Sequence, residues 1–89
     1  MRCITALALV IAMSGPALAD DPNCTSESKD KWISESDMKA KIASQGYKVR
    51  VFKVTKGNCY EIYGWDKTGK RIEIYFNPVT GSVVKEHRS

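Results

Sequence analysis

Apolar and polar positions alternate most clearly between residues 58 and 84. Within 71–76, Ile72, Ile74 and Phe76 fall on one side of an extended chain, and Arg71, Glu73 and Tyr75 on the other. The preceding run, 59–65, is rich in aromatic and β-branched residues, as a strand requires. Between the two lies Asp66-Lys67-Thr68-Gly69-Lys70, a hairpin turn with a glycine available for positive φ. Asn77-Pro78-Val79-Thr80-Gly81 follows as a second turn, and Val83 and Val84 begin a further short strand.

Upstream, a different period appears. Ser34 is placed to cap a helix, with Asp37 at its third position and Ile33 and Met38 at the two staple positions. Met38 and Ile42 form a narrow apolar stripe, and Gly46 closes the helix, which is predicted over about 35–45. So short a helix is marginal alone and must pack on something. Residues 47–55 read as another strand. Tyr47, Val49 and Val51 share one side, while Phe52 and Val54 fall on the other, a slip that suggests a bulge. Short connections favour antiparallel neighbours, so the expected fold is α+β: one short helix on a three- to four-stranded antiparallel sheet. Val49, Val51, Tyr60, Ile62, Ile72, Ile74 and Phe76 are expected to face the helix. Cys59, Glu61, Tyr63, Trp65, Arg71, Glu73 and Tyr75 are expected on the opposite face.

The first nineteen residues belong to another class. Arg2 precedes an apolar run over 4–13, and Ala17-Leu18-Ala19 supplies the small-x-small pattern of signal peptidase, so cleavage is expected between Ala19 and Asp20. The run is too short for a membrane span and is broken by Ser14-Gly15-Pro16. No cysteine sits where a lipid anchor needs one, so no membrane anchor is expected after cleavage. The expected segments are signal 1–19, a polar flexible lead 20–31, a domain over 32–85 and a tail over 86–89.

Charge changes the picture little. The chain has 14 Lys and Arg against 10 Asp and Glu, and losing Arg2 lowers the net charge from +4 to +3. The bases are interspersed with acids, which argues against nucleic acid as a partner. Export, by contrast, makes the cysteines informative. With Cys3 removed, Cys24 and Cys59 form an even pair in an oxidising compartment, and a disulfide between them is expected. Two cysteines and the single His87 make a poor metal set, so neither metal nor cofactor is expected.

Catalytic constellations are equally thin. A nucleophile needs a positioned base, and His87 lies in the charged segment 85–89, where a frayed tail holds nothing in place. Glu61 and Glu73 share one face on neighbouring strands, but basic residues nearby make cross-strand ion pairs the simpler reading. The protein is therefore expected not to be an enzyme. The sharper feature is aromatic: Tyr63, Trp65 and Tyr75, with Phe52 nearby, form a candidate binding face unless the lead tied by Cys24 covers them. Pairing of an extended peptide with a sheet edge is a second possible mode.

These residues resemble a known family. A helix beginning Ile33-Ser34-Glu35, a Gly46-Tyr47-x-Val49 strand, and the segment 59–84 are similar to PepSY domains, with the likeness running from about Trp32 to Lys85. Its most specific part is residues 73–84, Glu-Ile-Tyr-Phe-Asn-Pro-Val-Thr-Gly-Ser-Val-Val: a strand, an Asn-Pro-x-Thr-Gly turn and a new strand. The resemblance implies the α+β unit found in propeptides of secreted metallopeptidases, with no catalytic residues. It also implies a periplasmic or secreted inhibitor or modulator of extracytoplasmic peptidases, working through protein contact. No peptidase adjoins the domain here, so a target would be met in trans. The alternative is an accessory to an exported redox or haem-protein system, touching a membrane redox protein; the chain offers no ligand pair for haem itself. A small hydrolase built on Glu61 and Glu73 ranks last.

Overall fold

The computed structural model describes residues 21–89, and the expected cleavage position at Ala19 and Asp20 lies outside them. Ser34 has extended φ and ψ, and its side chain accepts a hydrogen bond from the Asp37 amide at 3.1 Å. That cap starts helix α1, Glu35–Ser44. Gly46, at φ +94°, then turns the chain out of the helix. Four strands follow: β1 Lys48–Val54, β2 Tyr60–Trp65, β3 Arg71–Phe76 and β4 Val83–Arg88. They form one antiparallel sheet in the order β1-β2-β3-β4. Each strand pairs with its neighbour in sequence, as short connections require. The fold is α+β, as expected.

The two turns are made by side chains. Asp66 Oδ1 accepts from the Thr68 amide, the Thr68 hydroxyl and the Lys70 amide at 2.9, 2.7 and 3.0 Å. The Thr68 hydrogen bond, with the Lys70 amide, lowers the Asp66 pKa to about 2. Asn77 does the same work at the next corner. Its Oδ1 accepts from the Val79 amide at 2.8 Å, and its carbonyl accepts from the Gly81 amide at 2.7 Å.

Met38 and Ile42 are fully buried against Tyr60, Ile62, Ile72, Ile74 and Phe76 on the sheet. Burying one such side chain contributes about 1.5–3 kcal/mol, enough for two of them to hold a helix that is marginal by itself. Trp32, Ile33, Tyr47 and Phe52 close the rim of this core. Tyr60 ties the rim together: its hydroxyl donates to the Ile33 carbonyl at 2.6 Å. Its ring meets Trp32 edge-on at 5.5 Å and Phe52 at 5.0 Å.

Strand β1 departs from the expected facing. The β1–β2 register shifts between Val49 and Val51, so Arg50 is the extra residue of a bulge. One inserted residue reverses every side chain after it. Phe52 therefore lies opposite Ile62 on the helix side, and leaves the aromatic group expected on the other face. Val51 lies opposite Tyr63 on the outer side and is 37% exposed; Val49, opposite Gly64, is 39% exposed. Neither valine joins the core. Gly64 explains how the bulge fits: a Cβ there would stand 1.9 Å from the Lys48 carbonyl oxygen.

Both chain ends also differ from expectation. The described part of the lead, from Asp21, is irregular chain with a 3-10 turn at Lys29–Lys31. Its polar composition suggested flexibility, but the Cys24–Cys59 disulfide and three polar contacts fix it. The expected tail over 86–89 is mostly strand: β4 runs to Arg88, with Glu86, His87 and Arg88 opposite Ile74, Glu73 and Ile72. Backbone pairing to β3 builds that part of β4 without an apolar alternation to announce it.

Candidate contact face

The sheet surface away from the helix carries the residues with chemistry to offer. From β2 come Glu61, Tyr63 and Trp65; from β3, Arg71, Glu73 and Tyr75; from β4, Lys85 and His87. From β1 come Val51 and Lys53, opposite Tyr63 and Glu61. Three of the four aromatic residues expected to cluster here do share this face: Tyr63, Trp65 and Tyr75. Phe52 does not.

The lead divides the face. Cys24 is bonded to Cys59, with 5.1 Å between their Cα atoms. The Cys24 amide donates to the Gly57 carbonyl at 2.9 Å, and its carbonyl accepts from Asn77 Nδ2 at 3.1 Å. Asn58 Nδ2 donates to the Thr25 carbonyl at 3.4 Å. Held in this way, the lead carries Asp21 to the Tyr75 hydroxyl, 2.9 Å from its Oδ1. Tyr75 is only 5% exposed, so it is cover for the sheet and not free contact surface. Tyr63 stays 37% exposed and Trp65 half-buried, beyond the reach of the lead.

The uncovered half is uneven and basic. A shallow depression of about 350 Å³ is lined by Arg50, Tyr63, Trp65 and Arg71. A second, of about 290 Å³, continues from Tyr63 and Arg71 to Glu73 and His87. Arg50 and Arg71 are exposed, and neither forms an ion pair among the described residues. His87 is held opposite Glu73 by the β3–β4 ladder, so it is not a frayed residue as expected. No hydroxyl or thiol among the described residues is hydrogen-bonded to it, and Cys59 is consumed in the disulfide.

Beneath the lead sits an acidic pair that the strand pattern understated. Glu61 is 2% exposed. Its Oε1 is 3.8 Å from Lys53 Nζ, and its Oε2 has no hydrogen-bond partner. Burial, reinforced by hydrogen bonding with Glu73, raises the Glu61 pKa. The same interaction lowers that of Glu73. Hydrogen bonding to Glu61 and burial raise the pKa of Tyr63; burial and hydrogen bonding to Asp21 raise that of Tyr75. Of the expected cross-strand ion pairs, Lys53 and Glu61 form a long one. The sequence signal that could have revealed the burial is Cys59, two positions before Glu61, which draws the lead over this end. No group of His, Cys, Asp and Glu among the described residues is arranged to hold a metal ion.

The model of one protein family, described as peptidase propeptide and YPEB domain, matches residues 3–87. The chain belongs to the PepSY family. That match covers nearly the whole chain, more than the 32–85 stretch that carried the resemblance. PepSY domains are typically exported, and no helix among the described residues is long and apolar enough to cross a membrane. No curated protein and no solved structure matches the chain.

Proposed function

We propose that this PepSY domain is a non-enzymatic module of the extracytoplasmic space that modulates a peptidase by binding it through the uncovered half of the outer sheet face. Family membership supports the peptidase setting, since the family takes its description from peptidase propeptides. The observation that carries the choice of face is the grouping of Tyr63 and Trp65 with two guanidiniums, Arg50 and Arg71, that form no ion pair among the described residues. Aromatic and arginine side chains dominate the binding energy of protein interfaces. The matching partner surface is apolar at its centre and carries carboxylates at its rim.

The test pairs a crosslink with an activity measurement. A photo-crosslinking residue at position 63 should capture an extracytoplasmic peptidase, and one at position 84, on the far edge strand, should not. The purified protein should change the activity of the captured peptidase. Trp65→Ala and Arg71→Glu should each weaken that effect about tenfold or more, the ordinary loss at an interface anchor of about 1.4 kcal/mol. Equal capture from both positions, or full potency in both variants, would remove this face from the proposal.

A further inference from the structure

Three carboxyl groups and one hydroxyl meet where the lead touches the sheet. The Tyr75 hydroxyl oxygen is 2.9 Å from Asp21 Oδ1 and 2.9 Å from Glu73 Oε2, yet it has one hydrogen to give. Glu61 lies opposite Tyr75, and Tyr63 opposite Glu73, so the two glutamates are diagonal neighbours on adjacent strands. Glu61 is 2% exposed, and its Oε2 has no donor facing it. Lys53 and Tyr63 reach Glu61, but a carboxylate oxygen buried without a partner favours the protonated form over the ionised one.

We propose that Glu61 and Glu73 share a single proton at neutral pH, carried on Glu61 and donated to Glu73, and that this proton clamps the start of the lead onto the outer face. With it in place, Glu61 is neutral, Glu73 holds the only charge of the pair, and the Tyr75 hydrogen is left to bridge to Asp21. Without it, three negative charges surround one hydroxyl. Among the described residues, charged and titratable groups face the pair from β1, β2, β3, β4 and the lead. Lys53 on β1 is 3.8 Å from Glu61 Oε1 and is itself largely exposed. Lys85 and His87 on β4 stand opposite Tyr75 and Glu73. Tyr63 and Tyr75 offer one hydrogen each, and among the described residues of the lead Asp21 joins them. The raised pKa of Glu61 and the lowered pKa of Glu73 agree with this assignment.

Release is confined to the few residues before Cys24, because the disulfide and the bond between the Cys24 amide and the Gly57 carbonyl anchor the rest. The clamp thus decides whether Tyr75 is covered, and with it the extent of the outer face. It is a property of the free protein and stands whether or not that face binds a peptidase.

The test is a carbon-detected NMR titration of the glutamate carboxyl groups in the purified, disulfide-bonded protein, with backbone relaxation of Asp21 and Asn23 followed in parallel. Glu61 should still carry its proton at pH 7 and lose it only in more alkaline solution, with Glu73 already ionised. Asp21 and Asn23 should become mobile through the same midpoint. Glu61→Gln keeps the shape and supplies fixed N–H donors, so it should hold the lead in place throughout and abolish the step. His87→Gln should leave the step, which separates the pair from the histidine. The proposal is overturned if both glutamates are ionised at pH 7. It is equally overturned if the lead stays rigid through the Glu61 midpoint, or if the step survives Glu61→Gln. Should that variant fail to fold, the titration of the unaltered protein decides alone.

Discussion

The inner face of the sheet is closed by a ten-residue helix and contains Ile62, Ile74 and Phe76 with almost no exposed surface. Among the described residues the outer face has no second layer of secondary structure, yet Tyr75 and Glu61 are nearly as buried. The means differ. Inside, apolar area is removed from water by shape alone. Outside, cover comes from a stretch of irregular chain held by one covalent bond and a handful of polar contacts. A small domain can thus shield both sides of a sheet with a single helix, provided the second shield is tethered. The covalent tether also leaves the remaining outer surface, around Tyr63 and Trp65, free to be used.

The contrast can be broken from either side. Phe76→Ala should cost about 3–5 kcal/mol, the usual loss for a large buried aromatic, and chemical denaturation would read it. The double variant Cys24→Ser, Cys59→Ser removes a link across 35 residues of separation. In the chain-entropy account that costs about 3–4 kcal/mol. The two should differ in kind as well as size: amide exchange should show the lead loosened in the cysteine variant, with the inner core still protected.

Smaller changes sharpen it. Gly64→Ala sets a Cβ against the Lys48 carbonyl oxygen, 1.9 Å away, so the β1 bulge must shift. A loss of about 1–3 kcal/mol is expected in thermal unfolding, concentrated in β1 exchange. Val51→Thr should change stability by no more than about 0.5 kcal/mol, because Val51 looks outward; a core valine would lose more.

The last prediction is one of acidity. Glu61 has a raised pKa, so its contribution is full below the unfolded value of 4.5 and fades as pH rises through its folded value. Glu73 has a lowered one, so its contribution is present above 4.5 and is lost as pH falls through its folded value. Stability of the pair should therefore pass through a maximum with one proton bound, and thermal melts across pH should lose the high-pH decline in Glu61→Gln.

Much of this architecture was legible from residue pattern, and its failures were local. β3 was read to the residue, because the alternation of Ile72, Ile74 and Phe76 has one interpretation. The helix start was legible because Ser34 and Asp37 stand at the spacing a cap needs. β1 was misread because a single extra residue, Arg50, inverts the meaning of every position after it. A slip in polarity was visible, but not which side of it the helix would choose. Phe52 and Val51 exchanged places for that reason alone. The end of β4 was missed because it has no apolar rhythm, whereas cover by the lead was left open because no local pattern decides it. One is made by backbone pairing and the other by a distant cysteine. The candidate face was half legible. Tyr63, Trp65 and Tyr75 share one face of the sheet, as their alternation indicates, while the bond from Tyr75 to Asp21 joins residues 54 apart and has no local signal.

The bulge at Arg50 has a bearing on how copies of this molecule coexist. β1 is an outermost strand, and its backbone would otherwise be a flat template for a neighbour's strand. The kink at Arg50, with Lys48 and Lys53 on either side, spoils that template by twist and by repulsion. At that edge the pairing of one copy's strand with another's is disfavoured, a defence built from a single inserted amino acid and the glycine that makes room for it.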